Sequence, residues 1–321
     1  MTLLTRRDFG RAGALGAAGL VAGATTAAAD GHAKAAAAIP PAMMDANLGG
    51  YKITALLDGV FNMPREFYFA EDMAAIDAAV AAAGVGPETL PIPITAYLLQ
   101  SDDRNILIDA GFGDLDAFGP GFGRAMDGLA AAGVGAEDID TIIVSHLHPD
   151  HIPGLLSGQQ ATFPNAELVI VEAEAKHWTD EGIMAQAPEN FKSWFQLAQA
   201  VVGVYGDRVT LVQDGYEAAP GVRLEVSPGH TPGHALVHID GGDRQLLLLG
   251  DTVSHVDLFT ALPQTGFALE TDTALAAQSR LKIFDKVSAD GLLIAGSHIH
   301  FPGFGRIVKA GDAYRFAATT W

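Results

Sequence analysis

The chain has 321 residues, a formal net charge of −19 and no cysteine. An acidic surface disfavours binding to nucleic acid and to anionic membrane surfaces, and a chain without cysteine has neither disulfides nor thiolate metal ligands. Hydrophobic residues make up 49% of the sequence, which suffices for a substantial core in one large domain or two.

The N-terminal segment has the pattern of an export signal. Arg6 and Arg7 precede an alanine- and glycine-rich run that is only weakly apolar and ends in the small residues 27–29. This pattern is typical of a twin-arginine signal with its cleavage site, whereas the alternative, a membrane anchor, calls for a more hydrophobic run. Residues 1–29 are therefore predicted to be a removable signal. The mature protein is predicted to be periplasmic or secreted, without stable membrane insertion.

The regular part of the chain follows an alanine-rich segment. Residues 30–48 contain two adjacent prolines and are predicted to form a leader or an arm packed on the body. Residues 49–321 are predicted to form a single domain whose first strand lies at 51–58. An aromatic group followed by alanine-rich, helix-like sequence and then by glycines predicts a loop-helix insertion over one face at residues 61–90.

The rest of the chain alternates short buried strands with helices. Helices are predicted at residues 115–132, 173–177, 188–202 and 271–287. Strands are predicted at residues 95–99, 105–109, 141–144, 167–172, 208–212, 222–226, 235–240, 245–249 and 291–295. Four of these strands lead into polar loops with candidate ligands, which are expected to lie together at one edge of a sheet sandwich.

The loop after the strand at 141–144 carries the densest group of potential metal ligands. His146 and His148 lie two residues apart and point the same way in an extended segment, and Asp150 and His151 follow where the chain turns. Two imidazoles for one metal ion, then a carboxylate and an imidazole for another, are what a two-metal site needs. A single histidine on a surface loop is usually just exposed to solvent. Three histidines and an aspartate within six residues are not readily explained in that way.

Three later motifs complete the set. His230 follows Pro-Gly, Asp251 follows Leu-Gly, and His298 follows Gly-Ser, each after a predicted strand. Together with the H-x-H-x-D-H stretch that begins at His146, they resemble the four motifs of the metallo-β-lactamase superfamily, in the same order and over about residues 50–315. The resemblance implies an α/β fold with four layers, the αβ/βα sandwich, and a site in the cleft between its two sheets.

The resemblance also assigns roles to the ligands, of which Asp150 and Asp251 are the catalytic carboxylates. Each metal has three ligands of its own and shares a fourth: His146, His148 and His230 for the first metal, Asp150, His151 and His298 for the second, and Asp251 for both. His298 is preferred to His300 as the last ligand, because it follows the last predicted strand and Ser297 directly.

Two further groups are expected around the metals. His234 and His255 each lie four residues after a ligand and are expected to support the ligands or line the site. Within the superfamily the chain is most similar to methyl parathion hydrolase and related quorum-quenching lactonases. In that branch aromatic side chains form an apolar pocket over the metals. Phe118, Trp178 and Phe195 fall where such pocket residues are expected, with ordinary core packing as the alternative.

These features predict an exported hydrolase with two divalent metal ions. Zinc is expected first, with manganese, cobalt or iron as alternatives, because His and Asp sites discriminate poorly between such ions. A hydroxide shared by the metals is expected to attack an ester-like centre, which is a lactone, an aryl ester or an aryl phosphotriester. The apolar pocket favours an apolar or aromatic small molecule, and a homodimer is one expected state by analogy.

Two other functions fit the same ligands. One is a non-catalytic exported metal-binding protein, and the other is a mono-iron oxygenase-type member of the same superfamily. Metal content and hydrolysis measured on one sample separate both from a two-metal hydrolase. A β-lactamase proper is less consistent, because such members usually lack the full H-x-H-x-D-H motif or use cysteine. A glutathione thioesterase is also disfavoured, because an exported protein seldom meets a cytosolic thiol.

Overall fold

The computed structural model describes residues 40–114 and 121–319, so the predicted signal and Phe118 lie outside the described residues. The strands are β1 (Met43–Asn47), β2 (Lys52–Pro64), β3 (Tyr68–Phe69), β4 (Thr89–Gln100), β5 (Asn105–Ile108), β6 (Thr141–Ile143), β7 (Leu156–Ser157), β8 (Gln160–Ala161), β9 (Glu167–Val171), β10 (Val209–Val212), β11 (Glu217–Ala219), β12 (Val222–Val226), β13 (Ala235–Asp240), β14 (Gln245–Leu248), β15 (Gly266–Phe267), β16 (Leu293–Ala295), β17 (Gly305–Ala310) and β18 (Ala313–Ala318). The α-helices are α1 (Met73–Ala82), α2 (Ala125–Ala131), α3 (Glu172–Thr179), α4 (Glu181–Gln186), α5 (Glu189–Tyr205), α6 (Val256–Ala261) and α7 (Thr273–Asp290). Within the described ranges, no helix combines the length and the apolar character needed to cross a membrane.

Two seven-stranded sheets carry the fold. The first has the order β1-β2-β4-β5-β6-β9-β10, and the second has the order β11-β12-β13-β14-β16-β17-β18. Antiparallel neighbours dominate, but β5–β6, β6–β9 and β9–β10 in the first sheet and β14–β16 in the second are parallel. Parallel neighbours require crossover connections, and helices α2, α5 and α7 lie within three of them.

Side chains alternate between two cores along the central strands. In β6, Ile143 faces the core between the sheets and Ile142 faces the helices, and Val169 and Leu168 alternate in the same way in β9. The second sheet contributes residues such as Leu224 to the inner core. This period of two is what strand geometry imposes, and it buries the first sheet on both faces.

Helices cover the outer face of each sheet. Leu129 of α2 and Phe195 of α5 belong to the core beneath the first sheet. Phe259 of α6 and Phe284 of α7 belong to the core on the outer face of the second. The order of layers is therefore helices, sheet, sheet, helices, and the predicted four-layer αβ/βα sandwich is confirmed.

Two findings refine the prediction for the start of the first sheet. Strand β1 pairs antiparallel with β2, so the last part of the predicted leader or arm packs on the body as an edge strand. The hairpin of β2 and β4 reaches Pro64 and Thr89, so the insertion is shorter than predicted. Pro91 and Pro93 obscured the start of β4, because proline cannot donate a ladder hydrogen bond and normally argues against a strand.

Candidate metal centre

Four strand ends position the candidate ligands. The loops after β6, β12, β14 and β16 carry all seven of them. Strands β14 and β16 are parallel neighbours, so their carboxyl ends lie side by side. A short strand ahead of each loop holds the backbone rigidly, which is what a site with defined geometry requires.

The first cluster comprises His146, His148, His230 and Asp251, all buried, with candidate ligand atoms within 4.8 Å of one another. The Nε2 atom of His230 lies 3.1 Å from Nε2 of His146 and 3.0 Å from Nδ1 of His148. The Oδ2 atom of Asp251 lies 3.4 Å from Nε2 of His230. Ligands bound tetrahedrally to one zinc ion at about 2.0–2.1 Å lie roughly 3.3 Å apart, so this spacing fits a single metal ion.

The second cluster comprises Asp150, His151, Asp251 and His298. The Nε2 atom of His298 lies 3.2 Å from Oδ2 of Asp150 and 2.9 Å from Oδ2 of Asp251. The Nε2 atom of His151 lies 3.2 Å from Oδ1 of Asp251. Asp251 thus takes part in both clusters, as a bridging carboxylate must.

Two buried atoms at the centre of the site support metal binding. Among the residues that the structure describes, Nε2 of His151 and Oδ1 of Asp251 have no hydrogen-bond partner. A buried polar atom without a partner is energetically costly, and a cation bound between these two satisfies both. Imidazole nitrogen with carboxylate oxygen suits zinc and similar divalent ions. The two clusters therefore fit a dinuclear centre for divalent metals.

Protonation differs between the two clusters. Burial lowers the pKa of His146 and His230, and it lowers the pKa of His148 to about 3 although Asp150 and Asp251 act against the change. Burial also disfavours protonation of His298, but Asp251 and Asp150 outweigh it and raise the pKa of His298 to about 10. Metal ions bind neutral imidazole. The histidines of the first cluster are therefore already in the form that binds a metal ion, whereas His298 must first release a proton.

Asp109 orients the second cluster through hydrogen bonds with His151 and Ser145. It follows β5 and has a φ of 58°. Its Oδ2 accepts hydrogen bonds of 2.8 Å from Nδ1 of His151 and from Oγ of Ser145, and its Oδ1 accepts one from the Ser145 backbone. Similarly, Nδ1 of His298 donates to the carbonyl of Pro93 at 2.8 Å. These bonds leave each Nε2 directed at the site. Sequence reasoning assigned neither Asp109 nor Pro93 to the site, although Asp109 is the last residue of a predicted strand.

His234 and His255, both expected to support the ligands, lie in different environments. The Nδ1 atom of His234 donates to the Ser227 carbonyl at 3.1 Å, and its Nε2 accepts from the backbone N–H of Asp251 at 2.9 Å. His234 therefore holds the bridging residue in place. His255 caps α6 by accepting a hydrogen bond from the Leu258 N–H at 3.4 Å, and its support of the ligands stays a prediction.

His300, the alternative to His298, lies apart from both clusters. Its Nε2 lies 2.6 Å from Oδ2 of Asp257, and the two side chains are 46% and 38% exposed. The hydrogen bond that the ring N–H donates to Asp257 raises the pKa of His300. The structure thus brings His298, and not His300, into the second cluster, in agreement with the sequence preference.

An apolar cavity of about 460 Å³ opens beside the first cluster, with His148 in its wall. Trp178 and Phe195 line it, as the pocket prediction requires. Phe191 and Trp194 line it too, and sequence reasoning did not assign them to the pocket. Their spacing of three residues places both on one face of α5, which is the signal that would have found them. The rings of Trp178 and Trp194 lie 5.3 and 5.1 Å from that of His148.

Comparison with known families extends this description. Residues 89–298 match the family model described as "Metallo-beta-lactamase superfamily". An N-acyl homoserine lactonase of a Bacillus species is 27% identical over 214 residues, which cover 61% of this chain and 77% of that protein. The earlier resemblance to hydrolases of this superfamily is thereby confirmed.

Solved structures show the same architecture. A hydrolase of the beta lactamase superfamily, AbOPH, aligns with a TM-score of 0.81 at 27% identity and covers 87% of this chain and 98% of its own. AidC, a dizinc quorum-quenching lactonase in complex with a product, aligns with a TM-score of 0.82 at 22% identity and covers 88% of this chain and 99% of its own. At 22% identity, the similarity to AidC shows a shared fold and nothing more.

Proposed function

Because the chain belongs to the metallo-beta-lactamase superfamily and is a metal-dependent hydrolase, we propose that it opens lactones that carry an apolar acyl chain. The observation that carries this proposal is the apolar cavity that shares His148 with the first cluster. A substrate chain in that cavity brings its ester group to the metal centre. The N-acyl homoserine lactonase among the relatives supports this choice of substrate class.

The seven clustered side chains are proposed to hold two divalent metal ions. Such ions supply Lewis acidity and lower the pKa of a water molecule towards neutrality. Asp251 directs Oδ1 to His151 and Oδ2 to His298 and His230, so its carboxylate keeps the two subsites at a set separation. Asp150 is 21% exposed and is the member of the site nearest to solvent.

The cavity favours a substrate with a long apolar part. Aromatic and aliphatic side chains form most of the cavity wall. Glu270 also lines the cavity, and its carboxylate forms an ion pair with Arg280. Each buried methylene group contributes about 0.8 kcal/mol to binding. The acidic chain disfavours anionic substrates in addition. Aryl esters and aryl phosphotriesters also have apolar parts, and they serve as comparison substrates in the test below.

Metal content and turnover on one sample test this function. We expect about two zinc or manganese ions per chain and fastest hydrolysis of long-chain N-acyl homoserine lactones in a panel with an aryl ester and an aryl phosphotriester. A phosphotriester that is hydrolysed faster than every lactone would contradict the substrate class. One iron per chain without hydrolysis would favour the oxygenase-type function, and bound metal without any turnover would favour a binding protein.

Trp194→Ala is expected to impair long-chain substrates selectively. Truncation removes an aromatic wall of the cavity, so KM for a decanoyl lactone should rise about tenfold, which corresponds to about 1.4 kcal/mol. KM for a butanoyl lactone should change little, because a short chain does not reach as much of the wall. Steady-state kinetics on both lactones measure the difference. An equal rise for both substrates would exclude the cavity as the acyl site.

Export is proposed from the sequence of residues 1–29. The paired arginines Arg6 and Arg7 are the feature on which twin-arginine export depends. Replacing both with lysine is expected to retain the unprocessed chain in the cytoplasm, as judged by cell fractionation and the mass of the product. Arg11→Lys is the matched control and should be exported normally. Normal export of the double variant would contradict the proposal.

A further inference from the structure

Glu174 is a buried carboxylate in the first turn of α3, with an exposure of 1%. Its Oε1 accepts hydrogen bonds from the backbone N–H of Leu147 at 2.9 Å and from the indole N–H of Trp178 at 2.8 Å. Its Oε2 accepts from the hydroxyl of Thr231 at 2.6 Å and from the backbone N–H of Gly233 at 2.9 Å. Four donors thus occupy the acceptor capacity of one carboxylate.

These donors belong to the surroundings of the first cluster. Leu147 lies between His146 and His148, and Thr231 follows His230 directly. The ring of Trp178 meets the ring of His148 edge-on, at 5.3 Å and 80°. The Glu174 carboxylate therefore connects the two loops that carry His146, His148 and His230. It also connects these loops with Trp178, whose ring packs on that of His148.

The loop after His230 approaches α3 unusually closely. A Cβ atom at Gly233 would lie 2.2 Å from the backbone nitrogen of Glu174, so a side chain there would push the helix and the loop apart. Burial raises the pKa of Glu174, and the four hydrogen bonds counteract that rise. Charge-assisted bonds to a buried carboxylate are stronger than bonds between neutral groups.

We propose that Glu174 is a positioning residue for the metal subsite of His146, His148 and His230. Its carboxylate holds the two ligand loops at the separation at which their imidazole nitrogens lie 3.0–3.1 Å apart. The second subsite depends on other partners, since Asp109 orients His151 and the Pro93 carbonyl orients His298. This inference rests on the proposed two-metal function and deepens it.

Zinc affinity of the metal-free full chain, measured by competition with a chromogenic chelator, tests the role. Glu174→Gln preserves shape but turns an amide –NH₂ towards two donors. It should weaken zinc binding at the first subsite about 10–100-fold, as is typical when a group that orients a ligand is lost. Binding at the second subsite should stay within about threefold. His148→Ala and His298→Ala assign the two affinities, because each removes a ligand from one cluster.

Asp58→Asn is the matched control for loss of a buried carboxylate. Asp58 accepts backbone hydrogen bonds from Phe112, Gly123 and Ala125, and its replacement should leave the first subsite unchanged. Trp178→Phe removes one donor to Glu174 without changing the charge. It should weaken the same subsite less, and it tests the inference even where the glutamine variant does not fold.

The outcomes separate this inference from the function on which it rests. Wild-type protein that binds two zinc ions, with E174Q binding them equally well, would overturn the inference alone. Equal weakening of both subsites would overturn it too, because a general loss of stability acts on the whole site. Wild-type protein that binds no zinc would overturn the proposed function and this inference with it.

Discussion

Replacing Asp251 with alanine is expected to lower kcat/KM for the best lactone by about 10³-fold, equivalent to about 4 kcal/mol of transition-state stabilisation. The reason is that one carboxylate serves both clusters: Oδ1 lies 3.2 Å from Nε2 of His151, and Oδ2 lies 2.9 Å from Nε2 of His298. Each subsite loses a ligand at once. Kinetics together with metal content per chain measure the effect, and metal content should fall below two.

Asp285→Ala is the control for this substitution. Asp285 pairs with Lys309 at 2.8 Å on the surface, where its side chain is 64% exposed. An exposed ion pair contributes about 0–1 kcal/mol to stability, so this variant should retain wild-type kinetics. The far-ultraviolet circular dichroism of both variants should match that of the wild type. If Asp251→Ala kept kcat/KM within about threefold of the wild type, the bridging role would be refuted. Losing a ligand that both clusters share should cost more than the roughly 1.4 kcal/mol that a tenfold loss represents.

Removal of metal is expected to abolish turnover and also to destabilise the fold. Dialysis against a chelator should bring hydrolysis below detection, and added zinc should restore it. Ions that bind only the folded state stabilise it by mass action, by about 4 kcal/mol per ion when free zinc exceeds its Kd about 1,000-fold. Denaturant titrations with and without zinc measure this difference in the free energy of unfolding.

The Asp251→Ala variant provides the internal control for the stability effect. With the ligand common to both clusters removed, zinc should raise its free energy of unfolding far less than it raises that of the wild type. Turnover that persists in protein shown to be free of metal would contradict the proposed function. Recovery by iron alone, with consumption of oxygen, would favour the oxygenase-type function.

Local sequence patterns located the strands and the loops that carry the ligands, whereas the four-layer fold and the division of the ligands between two metals came from the resemblance to the metallo-β-lactamase superfamily. The strand at 141–144 is short, β-branched and apolar, and the residues that follow His146 are too dense in ligands to be ordinary loop. Each later ligand also follows a predicted strand. The preference for His298 over His300 rested only on its position directly after a predicted strand. The structure has His298 in the second cluster.

The groups that hold the ligands in place depended on the tertiary structure. Glu174 meets Thr231 and Gly233 across 57 and 59 residues of sequence, and Pro93 meets His298 across 205. Such contacts leave no periodic pattern in either segment, because each residue alone is compatible with many environments. Ligand motifs and strand periods are short-range properties and can be read locally, whereas hydrogen bonds between distant loops exist only once the two sheets have packed.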